Sequence, residues 1–520
     1  MAQIVFKRDM NIGTISAESD QEFLLNCFIE TPEYSEILDF QNKKSILLGR
    51  TGSGKTALLN QIQKDVDFYI EIKPDTFAMQ YITNVPFVVK LKREGVNLDI
   101  FYKFLWLHEI ISQIIKKYFA YNRRNFLDEL SEKVSDRGRI HELKRYLNEY
   151  DGVFFDEGST EKITKDIEKN VSAMLGSDIA NLKGSLTESQ KKEIQTKASQ
   201  YINKKQINQL KNIITLFKEY FSSNIQKEII VGIDNLDTNW IDDESKFILI
   251  NALLSAMFHF IDIPNLKILI ALRADLLTKT CEVTDRQNEK DESFTLRLNW
   301  TPKMLNELLD KRVEYLFTYK YQKNNKLTFN DLFNFNIGEI SASDYILNRT
   351  MMRPRDAINF VNLCIVEADN ESGISEENIL AAEKIFRGDR LKALQYEWGS
   401  VYGNVDTYIE ILYLLGNKFK YTDLLEMSTY RSIEQLIYNS KTYNHVQTKF
   451  FETKAEDDYA REQNTRYLLN ILFTIGLIGT KENETDVISF ATPNRSELLV
   501  CDYTSNLLFE IHPLFAVKGR

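Results

Sequence analysis

Gly49-Arg50-Thr51-Gly52-Ser53-Gly54-Lys55-Thr56 satisfies the pattern G-x-x-x-x-G-K-[ST], and it narrows the fold more than any other stretch of the 520 residues. Glycines at these positions let successive backbone N–H groups converge on phosphate oxygens. In that arrangement Lys55 reaches the β- and γ-phosphates and the Thr56 hydroxyl binds Mg²⁺. The flanks suit the motif: the apolar Ile46-Leu47-Leu48 reads as a strand, and Ala57-Leu58-Leu59 opens a helix. The expected ligands are therefore ATP and Mg²⁺, with Gly49, Arg50, Thr51, Gly52, Ser53, Gly54, Lys55 and Thr56 lining the phosphates.

The rest of the chain supplies the remainder of an α/β fold. Phe68–Ile72 alternates as a strand does, and 101–119 repeats apolar residues at helical spacing (Phe101, Phe104, Leu107, Ile111, Ile114, Tyr118). Residues 123–226 are rich in Lys, Glu, Asn and Gln, lack proline and are divided by Gly152, Gly158, Gly176 and Gly184. They read as a helical insertion that carries no chemistry of its own. Residues 228–233 and 266–272 are nearly continuous apolar runs, as expected of parallel strands buried on both faces, and 294–298 offers one more. The lead-in, 1–43, reads as mostly helical. The expected architecture is a three-layer P-loop core (1–122 and 227–300), the insertion 123–226, a helical lid 301–399 and a winged-helix-like domain 400–520.

Five charged positions stand where the chemistry of such a core would need them. Ile229–Ile233 ends on Asp234, the place where a P-loop NTPase holds Mg²⁺. The next residue, Asn235, cannot take a proton, which makes Asp237 the nearest alternative base; a turn or helix cap is its competing role. Arg273 closes the following strand, beside the ligand crevice of an open α/β sheet. It either senses the γ-phosphate or pairs with Asp275. Arg353-Pro354-Arg355-Asp356 opens a helix, and two arginines there oppose the helix dipole unless an anion is near. Nucleotide phosphate and a protein carboxylate are the two candidates.

Near the C-terminus, helices at 408–415, 422–426 and 466–475 precede Leu477-Ile478-Gly479, and 487–490 and 507–511 read as the arms of a hairpin. Such a winged helix either binds DNA or docks protein. Residues 401–520 carry 12 Lys+Arg against 16 Asp+Glu, and the whole chain has a net charge of −10. Phosphate-backbone affinity comes from basic excess, so nucleic acid is the less favoured partner. The four cysteines and five histidines are dispersed, without a metal-ligand spacing. No apolar run reaches the ~18 residues of a membrane span, and the N-terminus has no signal-peptide core. A cytoplasmic location without membrane attachment is expected.

Taken together, these residues resemble the bacterial FunZ-type P-loop ATPases, near the KAP and STAND branches of the AAA-like NTPases. The resemblance runs through Ile12-Gly13-Thr14-Ile15-Ser16-Ala17-Glu18, the loop Gly49–Thr56 and Ile233-Asp234-Asn235-Leu236-Asp237 with Trp240. It continues through Leu298-Asn299-Trp300, Leu305, Arg312, Arg353-Pro354-Arg355-Asp356 and Ile511-His512-Pro513-Leu514-Phe515. It implies an ATPase module found among bacterial defence genes, often beside a nuclease or other effector, with a lid that carries the paired arginines. The corresponding expectation is a slow ATPase switch acting in antiphage defence on a protein effector or on further copies of itself. The alternatives are an ATP-regulated DNA-binding protein and a scaffold that keeps its ATP intact.

Overall fold

A computed structural model describes residues 5–74, 85–119, 123–149, 159–176, 179, 186–201, 207–223, 228–238, 241–287, 289–321, 326–440, 446, 450 and 457–516. Trp240, Gly152, Gly158 and Gly184 lie outside the described residues. The chain divides into two compact units. One comprises 31–48 and 58–296; the other comprises 1–30, 49–57 and 297–520.

The first unit is built on a five-stranded sheet. Its strands are β1 (Ile46–Gly49), β2 (Phe68–Ile72), β3 (Ile229–Ile233), β4 (Leu266–Arg273) and β5 (Thr295–Arg297), in the order β2-β3-β4-β1-β5. β2, β3 and β4 run parallel, Ile229 opposite both Phe68 and Leu266. The sheet places β4 between the loop strand β1 and the carboxylate strand β3. Read from the other edge it is 5-1-4-3-2, the order of the ASCE and AAA-like P-loop class. Every residue of β1, β3 and β4 is buried, which explains their nearly continuous apolar sequence. β5 is the short strand anticipated at 294–298.

The helix Asp99–Gln113 packs against Asp243–Met257, and Trp106 donates its indole N–H to the Leu249 carbonyl at 3.0 Å. The periodicity read over 101–119 covers this helix and a wider π-helical turn at Ile114–Tyr118. Residues 123–226 do form helices, at Arg123–Lys133, Arg137–Glu149, Ser159–Leu175, Glu188–Tyr201 and Asn208–Ser223. Their apolar faces (Phe126, Leu130, Leu143, Leu147, Phe217, Phe221) belong to the same hydrophobic cluster as the sheet.

In the second unit the lead-in is less helical than its sequence suggests. Among the described residues of 1–43 only Gln21–Asn26 and, in the first unit, Pro32–Leu38 are helical, while Ile12-Gly13-Thr14 is irregular chain held by side chains. Arg312 forms a buried ion pair with Asp20 at 2.6 Å and donates to the Ile12 carbonyl at 2.9 Å. Asn362 accepts from Ile12 N–H and donates to Gly13 O. Backbone demand that sheet or helix would satisfy is met here by polar side chains. That is why apolar periodicity misjudged the segment.

The helices Pro302–Tyr315, Pro354–Glu367 and Glu376–Tyr402 follow, all in one core with the C-terminal elements. Beyond them come helix Val405–Leu415, strand β6 (Lys418–Lys420), helices Tyr421–Leu425, Met427–Tyr438 and Asp458–Ile475, and strands β7 (Ile478–Lys481), β8 (Ser489–Phe490) and β9 (Leu508–Ile511). The sheet order is β8-β7-β9-β6. The hairpin expected between 487–490 and 507–511 is thus corrected: β7 lies between them and pairs antiparallel with both. Ile478, Gly479 and Thr480 are buried, and a strand with neighbours on both sides satisfies all its backbone groups there. Among the described residues no helix is long and apolar enough to cross a membrane.

Candidate functional site

The phosphate loop leaves the C-terminal end of β1 and enters the helix Lys55–Asp65. Gly52 and Gly54 have φ of +77° and +94°, conformations in which a side chain is strained. Space matters as well: a Cβ on Gly52 would lie 2.8 Å from the Arg355 Cβ, and one on Gly49 would meet the Ser53 hydroxyl. Lys55 Nζ donates to the Gly49 and Arg50 carbonyls at 3.0 and 3.1 Å, so its ammonium lies across the first residues of the loop.

Within this same unit the loop is held on its outer side. Arg353 Nη1 donates to Thr51 O at 3.2 Å, Arg355 N to Gly52 O at 3.3 Å, and Trp300 Nε1 to Ser53 O at 2.8 Å. Arg50 Nη2 donates to Thr474 O at 2.8 Å, satisfying a carbonyl in the last turn of the helix Asp458–Ile475. Arg355 is exposed and donates from Nε to Ile15 O at 3.0 Å.

Arg353 is fully buried, and its guanidinium meets the Glu397 carboxylate at 2.9 Å. Arg390 pairs with Asp356 at 2.7 Å and approaches Glu397 at 3.7 Å. Of the two candidate anions for Arg353, the protein carboxylate is therefore present. Burial alone would raise Glu397, but Arg353, Arg390 and Arg50 outweigh it and bring the carboxyl down to about 2. Burial and then Arg353 lower Arg50 to about 10, still cationic at neutral pH. Three guanidiniums (Arg50, Arg353, Arg390) thus face two carboxylates (Glu397, Asp356), an excess of one positive charge. Arg353 Nε and Nη2 and the Thr51 and Ser53 hydroxyls are buried with no hydrogen-bond partner among the described residues. A loop with glycines at its tight positions, an ammonium at its mouth and surplus positive charge behind it fits a polyphosphate.

The other unit carries the strand-end residues. Asp234 follows β3 and Arg273 ends β4, so both leave the same edge of the parallel sheet. Arg273 is buried and bonds Asp275 in bidentate fashion, at 2.9 and 2.5 Å, and Asp237 at 3.2 Å. The pairing with Asp275 weighed from sequence is present, with Asp237 added to it. Asp237 keeps 35% of its side-chain surface exposed. Asn235 adopts φ +63°, a left-handed conformation that asparagine tolerates better than most residues. The amide at this position consequently has a backbone reason as well as a chemical consequence. Tyr69 on β2 lies over Gly232, where an added Cβ would collide with its hydroxyl. Burial first, then Asp234, push its phenol well above the ordinary range.

Sequence reasoning did not single out Glu397 or the contact of Trp300 with the loop. Glu397 sits 43 positions beyond Pro354 in a long helix, where nothing local distinguishes it from a surface acid. Among the described residues no cluster of His, Cys, Asp and Glu is arranged to hold a metal by itself. The Mg²⁺ ligands expected here, Thr56 and Asp234, would need nucleotide phosphates to complete the shell.

The buried arrangement also predicts acid sensitivity. His512 is held down to about 3 by burial, then by Arg349, Arg353 and Arg50, and His108 to about 3 by burial and Lys116. A histidine whose folded pKa lies below its ordinary 6.5 contributes stability fully above that value and loses it as pH falls towards the folded pKa. Glu397 behaves alike between its ordinary 4.5 and about 2. The melting temperature is expected to be level from pH 8 to about 7 and to fall steadily below about 6.5, the histidines acting before Glu397. Thermal melts across that range check this; a melting temperature that is flat down to pH 5 contradicts it.

Comparison with known proteins adds three observations. Residues 303–395 match the FunZ-associated C-terminal helical domain, bearing out the FunZ resemblance over the segment that carries Arg312, Arg353 and Arg355. The putative transposon gamma-delta 80.3 kDa protein of Escherichia coli strain K12 is 21% identical across 97% of this chain; the match spans 66% of that protein, just under two thirds of its length. Among solved structures, a Walker-type ATPase of Pyrococcus abyssi (12% identity, 90% of this chain and 95% of that one) superposes with a TM-score of 0.33. The Aeropyrum pernix ORC2 protein in ADPNP–ADP complexes (12% identity, 96% and 89%) superposes with a TM-score of 0.34. Both superpositions are distant, and the P-loop class of the fold rests on the strand order and the loop.

Proposed function

We propose that this chain is a Mg²⁺-dependent ATPase of low turnover that works as a nucleotide-controlled switch. The observation that carries the reading is the glycine loop itself, in strand–loop–helix context and backed by surplus buried positive charge. In this reading the loop Gly49–Thr56 holds the phosphates, and Thr56 and Asp234 hold Mg²⁺. Asp237 prepares the attacking water, and Arg273 and Arg355 respond to the γ-phosphate. Exposed Arg355 has the freedom to do so. Arg353, committed to Glu397, contributes through the loop. Asn235 cannot accept a proton, which supports slow hydrolysis.

ATP can bias a partner only through differential affinity for two conformations. The FunZ-type resemblance supports a role in antiphage defence, with a protein effector or further copies of the chain as partner. The element order after residue 400 supports a winged-helix-like module, and its acidic balance favours protein over DNA. Phage plating with the native gene neighbourhood, wild type against Lys55→Ala, tests the role. Wild type is expected to reduce plaques and Lys55→Ala to lose protection. Equal plaque counts over a broad phage panel, with both proteins expressed, would remove the defence assignment. The transposon description of one relative gives the DNA-regulated alternative a specific test, ATP turnover with and without DNA; stimulation of tenfold or so would favour that alternative.

A further inference from the structure

The outer face of the phosphate loop is held by three donors on three consecutive carbonyls, and their order along the chain has a geometric meaning. Thr51 O accepts from Arg353 Nη1, Gly52 O from Arg355 N and Ser53 O from Trp300 Nε1, the last being the shortest at 2.8 Å. A peptide unit is planar, and its C=O points opposite to the N–H of the following residue. Fixing these carbonyls therefore fixes the N–H groups of Gly52, Ser53 and Gly54; that of Ser53 donates back to Arg50 O at 3.2 Å, and those of Gly52 and Gly54 are the ones offered to a ligand. A phosphate-binding loop has to aim such groups at its ligand.

We propose that Trp300 is a positioning residue of the phosphate loop. Together with Arg353, which Glu397 holds in place, it turns the Thr51 and Ser53 carbonyls outward so that the N–H groups of Gly52 and Gly54 face the nucleotide before it arrives. The inference rests on the nucleotide-binding reading above and adds to it residues that touch no phosphate. Trp300 serves in two ways. Its N–H holds the Ser53 carbonyl, and its ring lies 3.9 Å from where a Cβ on Gly54 would stand, walling the loop on that side. Trp300→Phe removes the N–H and trims the ring, whose nearest atom to Gly54 is Cζ2, and loop exchange and melting temperature tell the hydrogen bond from the packing.

The experiment titrates Mg·ATP and Mg·ADP into wild type, Trp300→Phe and Lys55→Ala, with turnover at saturating ATP, apo melting temperature and amide hydrogen exchange over residues 52–54. Trp300→Phe is expected to weaken both nucleotides about tenfold, the scale of one lost hydrogen bond with a carbonyl left unpaired. Its kcat should stay within about twofold, because the same contact serves ground and transition states. Loop amides should exchange faster while the melting temperature holds. Trp300→Phe binding both nucleotides like wild type, while Lys55→Ala does not, overturns this proposal alone. Weakened binding with wild-type loop exchange and a lowered melting temperature also overturns it, because the ring would then act through the fold. Wild type that binds no Mg·ATP overturns the parent reading and this one together.

Discussion

Lys55→Ala is expected to weaken Mg·ATP binding by about a hundredfold or more while leaving the fold intact. The lysine is the one ammonium in the loop, and charge-assisted contacts to phosphate contribute roughly 1.5–3 kcal/mol each. Two such contacts correspond to about two to four orders of magnitude in affinity. Lys55 donates to the Gly49 and Arg50 carbonyls. Arg50 is partly exposed, so water can serve its carbonyl, while Gly49 is buried and its carbonyl loses a partner at a cost of about 1 kcal/mol, too little to unfold the chain. Calorimetric titration of the folded variant decides the matter, and an ATP affinity equal to wild type would sink the assignment of the loop.

Asp237→Asn is the second large effect: turnover reduced about a hundredfold with ATP affinity within about threefold, the pattern of an interaction made only in the transition state. Arg273 would lose one charged partner but keep its bidentate bond to Asp275, so the local structure should survive. The companion change needs care. Asn235→Ala would leave at φ +63° a residue without the short polar side chain that makes asparagine tolerant of that conformation, at a cost of about 1 kcal/mol unrelated to chemistry. Asn235→Gly keeps the backbone and removes only the amide. If Asn235→Gly abolishes turnover and Asp237→Asn is silent, Asp237 is not the group that prepares water.

Arg353 and Arg355 show how differently two neighbouring residues of one motif can be used. In sequence they are equivalent: two cations at the start of a helix, each asking for an anion. In the fold Arg353 is buried against Glu397, while Arg355 is exposed and gives its backbone N–H to the loop. Helix periodicity explains the split, because Arg353 caps the helix on the side facing Glu397 and the position two residues on turns away. The motif could be recognised; the division of labour inside it could not.

The sequence by itself determined the local features: the strand–loop–helix around Gly49–Thr56, the buried strands read at 228–233 and 266–272, and the carboxylate and arginine at their ends. Each is written in consecutive residues, through glycine spacing or through uninterrupted burial on both faces of a sheet. Only the tertiary structure decided what depends on residues far apart. The strand order that sets β4 between β1 and β3 is one case. The segment Ile12-Gly13 held as irregular chain by Arg312 and Asn362 is another, since polar side chains 300 or more positions away replace the backbone partners a helix would supply. Glu397, Trp300 and Thr474 converge on the loop from 247 to 424 positions away. Hydrophobic periodicity reports which face of an element is buried, but it contains no term for the partner that buries it, and a single polar contact leaves no periodic trace at all.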